Sequence, residues 1–266
     1  MPAWCCLQSS VLRSIAFCRC SKTAGSGGAD AISLQGSGLV VDVTLTFDNG
    51  PDPVETLKVR DILARHGIRA TFFLKASNLT DPACRRIAEQ MRDDGHWIGN
   101  HTLNHKSPLG TLNDPEAPAR EIGEAQNLLG PLAHPLKLFR PNGRGHTGPH
   151  LLSRAAVDYL VAGGYTCVLW SVMPRDGTDP PGWVDRAMAK CLAEPWPTVV
   201  IHDRVGGAMD YLDEFIRRIH DAGGRFRQDF NPEVTPIVQG RVMHPLDSFS
   251  NADPAAQSIP THEPLA

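Results

Sequence analysis

Five short polar clusters carry side chains able to move protons or hold a cation. Asp48-Asn49-Gly50-Pro51 supplies a carboxyl and an amide, and Asn100-His101-Thr102-Leu103-Asn104-His105 supplies two imidazoles. Arg140-Pro141-Asn142-Gly143 brings a guanidinium, Arg175-Asp176-Gly177 a second carboxyl, and His202-Asp203 an imidazole beside an acid. Carboxyls and imidazoles are the usual general acids and bases of hydrolytic chemistry. His101 and His105 are spaced i, i+4, which on a helix would put both rings on one face. Neutral imidazoles so placed suit zinc and similar divalent ions. Taken alone, the pair reads more readily as capping or surface histidines. A zincin-type metalloprotease needs Glu after the first His; Thr102 stands there, which excludes that class.

The elements that must position these clusters alternate along the chain. Residues 41–47 alternate with β-branched residues and predict a strand, and residues 53–66 show helical periodicity ending at Gly67. The pattern then repeats in kind: strands over 70–74, 97–99, 136–139, 165–170 and 198–201, and helices over 82–94, 115–129, 150–162, 183–192 and 209–222, with a weak seventh strand beginning at Phe226. Units of this kind, their helices closed by glycine, predict an α/β fold in which a parallel sheet is covered by helices. A doubly wound sheet and a barrel both fit. Each polar cluster falls at or just past the carboxyl end of a strand, where parallel α/β folds build their sites. No Gly-x-Gly-x-x-Gly follows the first strand and no Walker loop is present, which removes the main support for nucleotide binding.

The ordered set Val43-Thr44-Leu45-Thr46-Phe47-Asp48-Asn49-Gly50-Pro51, His101-Thr102-x-x-His105, Arg140-Pro141, Pro174-Arg175-Asp176 and Ile201-His202-Asp203 resembles the five motifs of the polysaccharide deacetylase family (the NodB-homology, carbohydrate-esterase type), and Ala70-Thr71-Phe72-Phe73 also matches. The resemblance covers roughly residues 41–226. It implies a distorted (β/α)7, TIM-barrel-like fold and a metal-dependent hydrolase of non-peptide C–N bonds, removing N-acetyl from an amino sugar in carbohydrate metabolism. It implies Asp48 as general base, His202 as general acid, Arg140 as the group that positions Asp48, and Asp176 as the group that orients His202. It also implies His101 and His105 as ligands of a divalent metal, expected to be zinc with cobalt or manganese as alternatives, and a backbone N–H near Gly143 for the oxyanion.

Three of the motifs depart from the family pattern. Asn49 stands where the third metal ligand is normally an acid; its amide oxygen can coordinate but carries no charge, and some family members share this Asp-Asn pair. Gly177 and Met173 replace an aromatic and an acid of the fourth motif. Gly143 replaces an aromatic of the third, so the sugar-facing wall must come from elsewhere, with Trp170 and Trp183 as candidates. The last two departures bear on the polymeric substrate more than on the chemistry. The alternatives are a cyclic imide or ureide amidohydrolase of the same fold, whose members tend to lack the His-x₃-His pair, and a non-catalytic carbohydrate-binding relative.

Composition sets the outer bounds. The 266 residues are 41% hydrophobic and carry 26 Lys and Arg against 29 Asp and Glu, for a net charge of −3. That suits a globular enzyme and argues against a charge-driven nucleic-acid or membrane-surface partner. No apolar run approaches the ~18 residues of a membrane span. The expected partner is a carbohydrate or small amide substrate; the sequence specifies no oligomeric state. Four of the seven cysteines fall in the first twenty residues, without the spacing of a zinc knuckle or a disulfide framework. Residues 1–39 read as a disordered leader and Gly/Ser-rich linker, 40–240 as the catalytic domain and 241–266 as a disordered tail. The leader lacks the basic start and sustained apolar core of a secretory signal, giving an expectation of cytoplasmic location. His66, His96, His134, His220, His244 and His262 read as surface residues.

Overall fold

The computed structural model of the protein describes residues 41–251. The strands are β1 (Asp42–Asp48), β2 (Thr71–Leu74), β3 (Trp97–Asn100), β4 (Leu138–Phe139), β5 (Thr166–Cys167), β6 (Thr198–His202), β7 (Arg225–Arg227), β8 (Ile237–Val238) and β9 (Arg241–Val242). The helices are α1 (Glu55–Arg65), α2 (Pro82–Asp93), α3 (Ala125–Leu129), α4 (Arg154–Ala162), α5 (Trp183–Cys191) and α6 (Leu212–Asp221). Local chemistry fixes their ends. Asp81 caps α2 by accepting the Ala83 N–H at 2.8 Å, with Pro82 at the first helical position. Ser153 caps α4 through the Ala156 N–H at 3.2 Å, so that helix starts later than the expected His150.

The sheet runs β6-β1-β2-β3-β4-β5-β8-β9, with β7 also on β1. Strands β1 to β7 pair in parallel, as expected of the α/β class. No ladder joins β5 to β6; the isolated parallel bridge Val172↔Val199 spans the gap, backed by the Ser171 and Val172 N–H groups on the Thr198 carbonyl, both 3.1 Å. The barrel is therefore distorted rather than evenly closed. Val43, Leu45 and Phe47 of β1, Phe72 and Leu74 of β2, and Val199 and Ile201 of β6 pack in one cluster with α1, α2, α5 and α6, whose Val59, Leu63, Met91, Ala187, Phe215 and Ile219 are buried. Pleating turns the alternate residues to the opposite, inner face. Among the described residues no helix is long and apolar enough to cross a membrane.

Two findings differ from the sequence reading. His96 is buried, not superficial: its Nδ1 accepts the Ala70 N–H at 3.1 Å, its ring meets Phe72 edge-on, and burial pushes its pKa down to about 4. Residues 241–251, expected in the tail, are part of the domain. β8 and β9 form an antiparallel hairpin through Gln239 (φ 49°) and Gly240 (φ 77°), a two-residue turn with both residues left-handed. Beyond it, Leu246 is fully buried in a cluster with Leu151 and Leu152, and the Asn251 N–H donates to the Leu152 carbonyl at 3.0 Å. Strands of two residues leave no periodicity to read. The expected leader and linker, and the tail from residue 252, lie outside the described residues. Leu246→Ala is expected to lower stability by about 2–4 kcal/mol, read as a lower urea midpoint at unchanged slope; an unchanged midpoint would show that this segment does not hold the domain together.

Candidate functional site

Thr44, Thr46 and Asp48 alternate with the helix-facing residues of β1 and so share its inner face. Arg140, two residues past Leu138 of β4, reaches the same interior and is fully buried. Its Nη1 donates to Asp48 Oδ1 at 2.9 Å and to Thr46 Oγ1 at 2.6 Å. Its Nε and Nη2 donate to the carbonyls of Val168 (3.1 Å) and Leu169 (3.0 Å), and the guanidinium lies over the Phe73 ring, 4.1 Å from its centroid. Burial is the largest single influence on Asp48 and would raise its pKa; the charges facing it, Arg140 first, together with the Arg140 hydrogen bond outweigh it and hold the carboxyl below 3.8. Burial also lowers Arg140, but a guanidinium stays charged in proteins.

His101 follows β3. Its Nδ1 lies 2.8 Å from the Arg140 carbonyl oxygen, which can only accept, so Nδ1 carries the proton and Nε2 presents a lone pair. That lone pair faces Asp48 Oδ2 at 3.5 Å. Burial lowers the pKa of His101, and burial with the neighbouring His101 charge pushes His105 down to about 3, so both rings are neutral near pH 7. Their centroids lie 4.5 Å apart. The helix expected to pair them is absent. Thr102 (φ 65°) and His105 (φ 55°) are left-handed, Asn100 Oδ1 accepts the Thr102 N–H at 3.0 Å, and Thr102 Oγ1 accepts the His105 N–H at 3.0 Å. A side-chain-stapled turn, rather than a helical face, brings the imidazoles together.

Asn49 is left-handed (φ 80°), a conformation asparagine tolerates. Its side-chain Oδ1 is buried and accepts no hydrogen bond among the described residues. A buried polar atom left in this way costs free energy unless something else satisfies it. An orphaned amide oxygen, two neutral imidazoles and a carboxylate facing one of their lone pairs form a donor set that fits a divalent cation. Among the described residues no three His, Cys, Asp or Glu side chains gather as a metal set, so the reading depends on the Asn49 amide.

The second half of the site lies at the end of β6. Asp176 is fully buried, and its Oδ2 accepts the His202 backbone N–H at 2.9 Å while its Oδ1 lies 2.9 Å from His202 Nδ1. Nδ1–H is thereby fixed as the donor and Nε2 turned outward. Burial opposes the charge on His202, but the hydrogen bond and charge of Asp176 prevail and its pKa is raised above 6.5. Asp203 faces the other way: its Oδ1 accepts the Gly50 N–H at 3.2 Å and its Oδ2 accepts the Thr56 hydroxyl. A Cβ at Gly50 would collide with that carboxyl, at 2.2 Å from Oδ2, so the Asp48-Asn49-Gly50 turn is locked against β6.

Asp48, Asn49, His101, His105, Asp176 and His202 line one cavity of about 790 Å³, with Arg140 behind Asp48. Of the two candidate wall residues, Trp170 lines the cavity and fills the space a side chain at Gly143 would take, 2.4 Å from the ring. Trp183 is fully buried with its Nε1 donating to the Ala208 carbonyl at 2.8 Å, and serves the core. Gly143 also lines the cavity. Sequence reasoning passed over Thr46, the second partner of Arg140, although it stands two residues before Asp48 on one strand face.

Fold and site together define an α/β fold with a mixed, unclosed sheet, at whose strand ends Asp48, Asn49, His101, His105 and His202 line one cavity. The chain belongs to the polysaccharide deacetylase family, whose model matches residues 40–161. It is accordingly a hydrolase, a deacetylase acting on carbon–nitrogen bonds other than peptide bonds. It is 33% identical over 166 residues to a chitooligosaccharide deacetylase of Rhizobium leguminosarum bv. trifolii, covering 61% of this chain and 71% of that protein. It is 32% identical over 193 residues to a peptidoglycan-N-acetylglucosamine deacetylase of Bacillus cereus, covering 70% and 66%. The structure resembles that of the Bc1960 peptidoglycan N-acetylglucosamine deacetylase in complex with an N-oxidanyl-benzamide, with a TM-score of 0.62 and 27% identity over 76% of this chain and 91% of that one. A family 4 acetyl xylan esterase from Clostridium thermocellum in complex with a cobalt ion shares the fold, with a TM-score of 0.59 and 22% identity over 70% and 87%.

Burial pushes the Asp203 carboxyl up to about 7. The folded state then holds a proton that the unfolded chain releases near 3.8, so stability falls as pH rises from about 4 to about 7. Asp203→Asn is expected to flatten that slope in denaturant titrations across this range; an unchanged slope would remove Asp203 as its source.

Proposed function

We propose that this cavity removes the N-acetyl group from an acetylated amino sugar within an oligo- or polysaccharide, of the chitooligosaccharide or peptidoglycan kind for which the relatives are named. One observation carries the reading. Asp48 fixed by Arg140, and His202 fixed by Asp176, face one cavity together with the unpartnered Asn49 Oδ1 and two neutral imidazoles. Amide hydrolysis needs a base for water and an acid for the leaving nitrogen. Asp48, ionised at neutral pH, takes a proton as water attacks the acetyl carbon. His202, charged on Nε2 with Nδ1 held by Asp176, gives its proton to the nitrogen as the C–N bond breaks. Acetate and the free amino sugar leave.

Asn49, His101 and His105 would hold the divalent ion, zinc or else cobalt or manganese. When bound, it would supply a Lewis acid for the acetyl carbonyl and acidify nearby water. The Gly143 N–H donates to no group among the described residues and is the backbone candidate for the oxyanion. Asn49, like the two imidazoles, brings no charge to the ion, so Asn49→Asp is expected to retain the ion longer against a chelator while keeping activity.

The direct test is acetate release from acetylated chito-oligosaccharides and peptidoglycan fragments with zinc, cobalt or manganese supplied. Asp48→Asn and His202→Ala are expected to cut kcat by at least about 10², and His101→Ala to abolish both bound metal and turnover. No acetate from any substrate with metal bound would contradict the reading. Asp176 raises the His202 pKa, so the acid form of His202 survives to higher pH than a free imidazole would. Asp176→Asn is expected to move the alkaline limb of kcat to lower pH, and a limb that stays in place would remove His202 as the acid.

A further inference from the structure

The rim of the cavity carries four cations: Lys75, Arg144, Arg175 and Arg204. The side chains of Lys75, Arg175 and Arg204 make no hydrogen bond or ion pair among the described residues, and Arg144 reaches only the Lys106 carbonyl, at 2.8 Å. On the outer surface Arg69, Arg86 and Arg241 likewise hold no carboxylate among the described residues, but other arginines do. Arg120, Arg154, Arg186 and Arg218 each hold a carboxylate. The acids of the cavity are already engaged: Asp48 by Arg140, Asp176 by His202, and Asp52 by the N–H groups of Val54 and Glu55. Four rim cations thus face one cavity carboxylate, Asp52, that no cation pairs among the described residues, which leaves the mouth net positive on a chain whose net charge is −3.

One of these cations stands where a side chain at Gly177 would be. A Cβ at Gly177 would lie 2.5 Å from Arg204 Nη2, so the guanidinium takes the place of a wall at that position. Arg204 and Lys75 both line the cavity that holds His202 and His105. A guanidinium presents a planar fork matched to a carboxylate.

We infer that the substrate is an acetylated amino-sugar glycan bearing carboxylate groups, held at the rim by Arg204 and Arg175 with Lys75 and Arg144 adding to the field. The inference rests on the deacetylase reading and narrows it to glycans that carry carboxylates.

The test compares a neutral chitotetraose, fully N-acetylated, with a tetrasaccharide of alternating N-acetylglucosamine and N-acetylmuramic acid. Affinity is read by equilibrium dialysis, and kcat/KM by acetate release. Wild type is expected to bind the carboxylated tetrasaccharide about tenfold tighter at low salt, the scale of one or two well-formed exposed ion pairs. Raising salt to about 0.5 M should close the gap. Arg175→Gln/Arg204→Gln should bring the ratio of the two affinities, and of the two kcat/KM values, near one. Equal affinity of wild type for both glycans at low salt, or a preference that survives the double substitution, overturns the inference. Acetate release from the neutral tetrasaccharide tests the deacetylase reading separately. The dialysis result stands whether or not acetate appears.

Discussion

The buried ion pair between Arg140 and Asp48 is the constraint on which the rest of the molecule turns. A charge taken out of water is tolerated only when it is paired and its remaining donors are satisfied. Arg140 meets that condition through one carboxylate, one hydroxyl and two carbonyls drawn from β1 and from the stretch just after β5. The same residue's own carbonyl fixes the tautomer of His101. One side chain and its peptide therefore join the base, the imidazole donors and the barrel wall.

A second lock stands beside the first, since Asp48 and His202 are register partners on the paired strands β1 and β6. Asp176 holds both the ring and the backbone of His202, while Asp203 ties the Asn49-Gly50 turn to the end of β6. The two acids thus divide the work, Asp176 raising the pKa of His202 and Asp203 holding the Asn49-Gly50 loop. The left-handed residues Asn49, His105, Arg144 and Arg175 all line this cavity. Their strain is offset by the hydrogen bonds that surround them, and the cost sits where geometry is needed.

Much of this was legible in the sequence because the motifs ride on strands. Asp48, Arg140 and His202 end or follow strands whose alternation is plain, and period-two pleating then dictates which side they face. The loop geometry was not legible. The spacing of His101 and His105 pointed to a helical face, yet the pairing depends on Thr102 and Asn100 hydrogen bonds that periodicity cannot report. β8 and β9 escaped because two residues make no pattern, and Leu246 because it lies among the Pro, Asp and Ser of an apparent tail. The exchange of an aromatic wall for Arg204 was half visible: Gly177 showed that something was missing, but only the fold shows what fills the space.

The central claim is that Asn49, His101 and His105 together hold a divalent ion beside Asp48. Anomalous diffraction from crystals grown with zinc tests it most directly. The account predicts one anomalous peak bounded by Asn49 Oδ1 and the two imidazoles, lost in His101→Ala crystals. A peak that excludes Asn49, or none in this cavity when zinc is bound elsewhere, would contradict it.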